Sequence, residues 1–137
     1  MNAARTTARV LLVEDDLATA MVHSYILKAA GYSVTMAESG EQALARIDLV
    51  HPDVIVLDLN LPGKDGFTVA RELATNRGRA SIPIVVVTGH PGRVEGGAGE
   101  DLENIRSFLY KPCEERSLVD GVEEALAGSE RGGGRSW

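Results

Sequence analysis

Cysteine is nearly absent: Cys113 is the single thiol in 137 residues. That excludes an internal disulfide and any metal site built from several cysteines, and the plain reading of the lone thiol is a buried or inert one. No apolar run is long enough to cross a bilayer as a helix, so no membrane partner is expected. Met1 to Thr7 is polar, and the apolar run Val10 to Val13 is too short for the core of a secretion signal, so a cytoplasmic protein is expected. Positive charge is in deficit: 14 Lys and Arg stand against 20 Asp and Glu, a net charge of −6. That balance favours solubility and argues against a general nucleic-acid surface. No internal repeat is present.

The length suits one domain with a single core. Strand and helix patterns alternate along it. "RVLLVE" (9–14) is a short apolar run ending in acid. "LATAMVHSYILKAA" (17–30) places Met21, Val22, Tyr25, Ile26, Ala29 and Ala30 at helical spacing, with Gly31 suited to close the helix. "YSVTMA" (32–37) alternates as a strand does. "SGEQALARIDLV" (39–50) opens with Ser39 and carries Gln42 three residues on, a capping-box pattern. "VIVLD" (54–58) is the third strand, and Phe67, Val69, Ala70 and Leu73 stripe a helix over 66–77. "IPIVVVT" (82–88) and "SFLYK" (107–111) are strands four and five. A last helix over 114–127 carries Leu118, Val119, Val122, Ala125 and Leu126 on one side. The repeated βα order implies a parallel sheet with helices on both faces, the doubly wound α/β class. Domain bounds follow: a flexible N-terminus over 1–7, the domain over 8–127, and a glycine-rich tail or linker over 128–137.

One stretch departs from the pattern. Residues 89–106 are glycine-rich, and each glycine in a helix costs up to about 1 kcal/mol relative to alanine. The expectation is mostly loop, with a short helix from Gly99 or Glu100 to Ile105, and Asn104 in a left-handed turn before strand five.

Acids stand at the strand ends. Strand one runs into Glu14, Asp15 and Asp16, and the apolar strand 54–57 runs into Asp58. In open α/β sheets ligands bind beyond the C-terminal strand ends. Aspartates meeting there repel one another, and a hard divalent cation such as Mg²⁺ resolves the repulsion. Thr88 ends strand four and Lys111 ends strand five. Carboxylates, one cation and one hydroxyl suit phosphoryl transfer, with an aspartate as nucleophile. Each residue alone has a plainer reading: Asp15 or Asp16 as a helix N-cap, Asp58 as a loop-entry acid, Thr88 as a β-branched strand residue, Lys111 as a solvated lysine. Their joint placement at successive strand ends favours the chemical one.

The motifs "LLVEDD", "VLDLNLPGKDG", "VVVTG" and "FLYKP", in that order over about residues 8 to 127, resemble the receiver domain of two-component response regulators, the CheY-like family. The spacings from Asp58 to Thr88 (30) and from Thr88 to Lys111 (23) are similar to the family's. The resemblance implies a flavodoxin-like five-stranded sheet in the order 2-1-3-4-5, here with an atypically short or disordered fourth helix. It implies Asp58 as phosphoacceptor, with Asp15, Asp16, Asp58 and the backbone carbonyl of Asn60 around Mg²⁺. Thr88 and Phe108 would be switch residues, Lys111 the phosphate-binding lysine, and Pro112 a candidate for a cis bond. The partner implied is a sensor histidine kinase or a histidine phosphotransfer protein. The output partner is unknown, a weak homodimer stays open, and no nucleic acid is bound directly. The chain would catalyse only its own modification, as a stand-alone regulator or an excised receiver. The competing expectation is an interaction module of the same fold that does not use phosphate. Lys64 stands where many members have an apolar residue and reads as a solvated loop lysine. Gly89 follows Thr88 where alanine is common and would open space beside the site.

Overall fold

The computed structural model describes residues 7–95, 97, 99 and 101–130. Within them, strands and helices alternate: β1 (Arg9–Val13), α1 (Leu17–Ala29), β2 (Ser33–Ala37), α2 (Gly40–Val50), β3 (Val54–Leu57), α3 (Gly66–Ala74), β4 (Ile84–Thr88), α4 (Gly92–Glu95), β5 (Ile105–Tyr110) and α5 (Glu115–Glu130). All strand pairs are parallel, in the order β2-β1-β3-β4-β5. This is the expected doubly wound sheet.

The continuous apolar runs of β1, β3 and β4 follow from burial on both faces. Alternate residues divide between two cores. Leu11, Val13, Ile55, Leu57, Ile84 and Val86 face α2 and α3, through Ala43, Ile47, Phe67, Ala70 and Leu73. Val10, Leu12, Val54, Val56, Val85 and Val87 face α1 and α5, through Ala20, Leu27, Leu118, Val122 and Ala125. Full burial of such side chains contributes about 1.5–3 kcal/mol each.

The helix starts are chemically marked. Asp16, Ser39 and Asp65 cap α1, α2 and α3, accepting from the backbone N–H of Thr19, Gln42 and Thr68. The Gln42 side chain does reach back, but to the N–H of Glu38 rather than of Ser39. Gly31 follows α1 at φ +104°, a conformation side-chain-bearing residues avoid. Gly66 is required at the head of α3: a Cβ there would stand 2.5 Å from the Asp58 carbonyl oxygen and 2.8 Å from the Leu59 Cα. Bare backbone lets α3 press directly on the end of β3.

Five expectations need correction. The apolar stripe read on α1 is not the buried one: Met21, Val22 and Tyr25 are exposed, while Ala20, His23, Ser24 and Leu27 face the core. The helix carries a single Lys and no acid, so charge does not mark its outer side, and the buried side mixes the small Ala20 and Ser24 with His23 and Leu27. The helical turn in 89–106 lies at Gly92–Glu95, and Ile105 already belongs to β5. Where a helix was expected, turns close by hydrogen bonds from Leu102 N–H to the Gly99 carbonyl and from Ile105 N–H to the Leu102 carbonyl. Asn104 is not left-handed; among the described non-glycine residues only His51 has positive φ. Asn104 is instead buried, with Nδ2 donating to the Ala70 carbonyl at 3.0 Å. Lys64 is not merely solvated: its ammonium pairs with Glu72 at 2.5 Å. At the C-terminal end α5 runs to Glu130, into the stretch read as tail. Residues 1–6 and 131–137, where flexible ends were expected, lie outside the described residues.

Candidate functional site

Sheet hydrogen bonds continue one residue past several strand ends. Asp58 N–H donates to the Val13 carbonyl at 3.0 Å, Glu14 N–H to the Ala37 carbonyl at 3.0 Å, and Lys111 N–H to the Thr88 carbonyl at 2.8 Å. The ladder therefore holds Glu14, Asp58 and Lys111 at one edge of the sheet. Lys111 Nζ lies 2.6 Å from Glu14 Oε1 and 3.1 Å from Asp58 Oδ2. Glu14, Asp15 and Asp58 each bring one carboxylate oxygen within 4.8 Å of the others. Glu14 and Asp58 are buried; Asp15 is exposed at the mouth.

Backbone donors fix the two buried carboxylates. Asn60 N–H donates to Asp58 Oδ1 at 3.0 Å, and Asp16 N–H to Glu14 Oε2 at 3.1 Å. Burial pushes the Glu14 carboxyl above its ordinary value; Lys111 and the Asp16 amide pull it down without cancelling that effect, and the Asp58 charge adds to it. For Lys111, burial acts downward, but hydrogen bonds to Glu14 and Asp58 and their charges outweigh it and hold the ammonium above its ordinary value. The lysine is thus a firmly charged cation shared by two acids.

Three carboxylates against one ammonium leave an excess of two negative charges in a partly buried space. That donor set, all hard oxygen, fits a small divalent cation such as Mg²⁺. The acids that converge are Glu14 and Asp15 with Asp58. Asp16, expected beside Asp15, is not in this cluster. Its carboxylate caps α1, accepting from Thr19 N–H at 2.9 Å and from the Thr19 hydroxyl, and these bonds lower its pKa. In the sequence Glu14 reads only as a strand-end acid. The available signal was the Asp-x-x-Thr pattern, which marks Asp16 as a cap and shifts the acidic pair back by one residue.

The remaining expected residues surround this cluster. Thr88 is fully buried, and its hydroxyl accepts from His90 N–H at 3.0 Å. Phe108 is half-buried against the core that contains Phe67 and Leu102. The Lys111–Pro112 bond is cis. A Cβ at Gly89 would be 4.0 Å from the Lys111 Cβ, so an alanine fits there as well. Cys113 is half-buried, and burial pushes its thiol up, in keeping with an inert group.

Two hollows flank the acids on either side of α1. One of about 520 Å³ is lined by Thr19, Val22, His23, Lys111, Pro112 and Cys113. The other, about 460 Å³, is lined by Glu14, Asp15, Leu17, Met36 and Arg46 among others. His23 is buried in the first, its pKa lowered by burial and by Lys111.

Comparison with known proteins gives one consistent answer. Residues 10–123 match the model of the response regulator receiver domain family. The chain is 32% identical over 117 residues to the sensory transduction protein RegX3 of Mycobacterium tuberculosis, covering 85% of this chain and 50% of that one. It is 30% identical over 121 residues to protein PilH of Pseudomonas aeruginosa, covering 88% and 99% respectively. The crystal structure of the chemotaxis response regulator CheY4 of Vibrio cholerae superposes with a TM-score of 0.81 at 28% identity, covering 88% of this chain and all of that one. The chain spans about half the length of RegX3 and of the transcriptional regulatory protein BaeR of Escherichia coli.

Proposed function

Because the chain belongs to the response regulator receiver domain family, we propose that it accepts a phosphoryl group on Asp58 from a phosphohistidine and relays the event as a change in partner binding. The observation that carries this reading is the Asp58 carboxylate, buried, held by the Asn60 amide on one oxygen and by Lys111 on the other.

Asp58 acts as the nucleophile: a carboxylate oxygen attacks phosphorus, the donor imidazole leaves, and an acyl phosphate remains. Its buried oxygens are already oriented by two donors, so little reorganisation is needed. Lys111 trades contact with Asp58 for contact with the incoming phosphoryl oxygens. Thr88 offers a hydroxyl that must give up its bond from His90 N–H to turn toward them. Glu14, Asp15, Asp58 and the Asn60 carbonyl would hold Mg²⁺, which when bound supplies charge neutralisation for the phosphoryl oxygens. Water attack on the acyl phosphate restores the carboxylate, so the chemistry is self-modification.

The partner is a sensor histidine kinase or a histidine phosphotransfer protein. Leu17, Met21, Val22 and Tyr25 of α1 are 63%, 58%, 57% and 75% exposed. This apolar patch begins next to the acidic edge, where a donor histidine must arrive, and patches of this kind mark protein contacts. A phosphate-independent module of the same fold is favoured by one observation, the single-turn α4.

Incubation of the protein with Mg²⁺ and a small acyl phosphate, followed by intact-mass measurement, tests the reading. One phosphoryl group is expected on wild type and none on Asp58→Asn. A phosphate adduct that persists in Asp58→Asn, or none in wild type, sinks it.

A further inference from the structure

We propose that Phe67 carries the state of Asp58 to the loop between β4 and β5 by direct packing, a route separate from Thr88 and Phe108; the proposal rests on Asp58 being the phosphoacceptor. The route is a run of residues with a close approach at each end. At its base, Gly66 presses bare backbone on Asp58 and Leu59: its N–H donates to the Leu59 carbonyl at 3.0 Å, and a Cβ would clash with the Asp58 oxygen at 2.5 Å. Phe67 is the next residue. The residue is 6% exposed and belongs to the core that includes Leu59 and Leu102. Above the ring lies Gly99, with φ +84°; a Cβ there would stand 2.4 Å from Phe67 Cε1 and 3.0 Å from Cδ1. Only glycine satisfies both that backbone angle and that approach.

The loop is built to respond to such a push. Its described amide bonds are short turns: Val94 N–H to the Pro91 carbonyl, Gly97 N–H to Val94, Leu102 N–H to Gly99, and Ile105 N–H to Leu102. A helix would share a displacement along its length, whereas the described turns that follow Gly99 are separate from α4. Close-packed interiors transmit small displacements because no void absorbs them. A phosphoryl group on Asp58 repositions the 58–59 backbone, Gly66 moves with it, and the Phe67 ring moves the Gly99 turn.

Amide hydrogen exchange on the full chain decides the matter. The Leu102 amide reports the Gly99 turn and the His90 amide reports the Thr88 hydroxyl. In wild type with Mg²⁺ and acyl phosphate, phosphorylation is expected to change Leu102 exchange about fivefold or more. Phe67→Leu keeps an apolar core and should still gain the phosphate mass, with the Leu102 response lost and the His90 response kept. Gly99→Ala, which forces the loop off the ring from the other side, should give the same pattern and covers the case in which Phe67→Leu folds poorly. A Leu102 response undiminished in both variants, or absent in phosphorylated wild type, overturns the proposal. A wild type that gains no phosphate mass instead overturns the phosphoacceptor reading beneath it.

Discussion

Removing the Lys111 charge while keeping its stem, as in Lys111→Met, should weaken the fold in a pH-dependent way. The ammonium lies 2.6 Å from Glu14 and 3.1 Å from Asp58. At an effective dielectric of 20 each contact is a gross attraction of about 5–6 kcal/mol. Desolvation offsets most of it, since the Glu14 side chain is only 3% exposed. Breaking a buried pair costs about 3–5 kcal/mol. Here Lys111 keeps some solvent contact and Glu14 can take up a proton, so the expected loss at pH 7 is about 2 kcal/mol. The sign with pH follows from Glu14. Its folded pKa is already raised above the ordinary 4.5, so its contribution favours folding at low pH and is lost as pH rises above that value. Without Lys111 the folded pKa rises further and the loss deepens. Lys111 itself, raised above 10.5, stays charged throughout this range, and its own contribution would fade only at alkaline pH. The variant should therefore approach wild type near pH 4.5 and fall behind toward pH 7. Urea denaturation at the two pH values, at constant slope, measures the difference as a shift in midpoint of about 1 M at neutral pH. Mg²⁺ should restore more stability to the variant than to wild type, because it binds a site with one more uncompensated charge. Equal losses at both pH values, or no loss at pH 7, would refute the argument.

Asp15→Asn should weaken the Mg²⁺ response in a titration, whereas Asp16→Ala should leave that response in place and lower stability by about 1 kcal/mol through the lost helix cap. The reverse pattern would return Asp16 to the metal. Gly66→Ala should destabilise by about 3 kcal/mol or more, since the new methyl meets the backbone of Asp58 and Leu59, which cannot swing aside as a side chain would; thermal melting checks this, and a variant within 1 kcal/mol of wild type would contradict the close approach. Met21→Ser with Tyr25→Ser changes exposed positions only, so stability should move by about 0.5 kcal/mol or less. Phosphorylation by a small acyl phosphate should be unchanged in that double variant, and transfer from a phosphohistidine protein slowed; equal transfer rates would remove α1 from the docking surface.

The sequence by itself determined the sheet and its chemistry. The apolar runs Val54–Leu57 and 84–87, closed by Asp58 and Thr88, read as buried parallel strands with polar ends, because a carboxylate is not stable inside such a strand, and Lys111 closes the shorter run 108–110 of a less buried strand. The βα alternation, the Ser39 cap and the stripe Phe67–Val69–Ala70–Leu73 were legible for the same local reason: spacing and capping act within a few residues. What tertiary structure decided is where local rules are silent. Whether Glu14 or Asp16 joins Asp58 depends on the register Val13↔Leu57, which is set across strands 44 residues apart in the chain. Which side of α1 is buried depends on what the sheet and α5 present to a nearly uncharged helix, and that is the side of Ala20, His23, Ser24 and Leu27. The backbone of Gly99 depends on the Phe67 ring beneath it, a contact no local pattern encodes, because it joins the head of one helix to a loop 32 residues later.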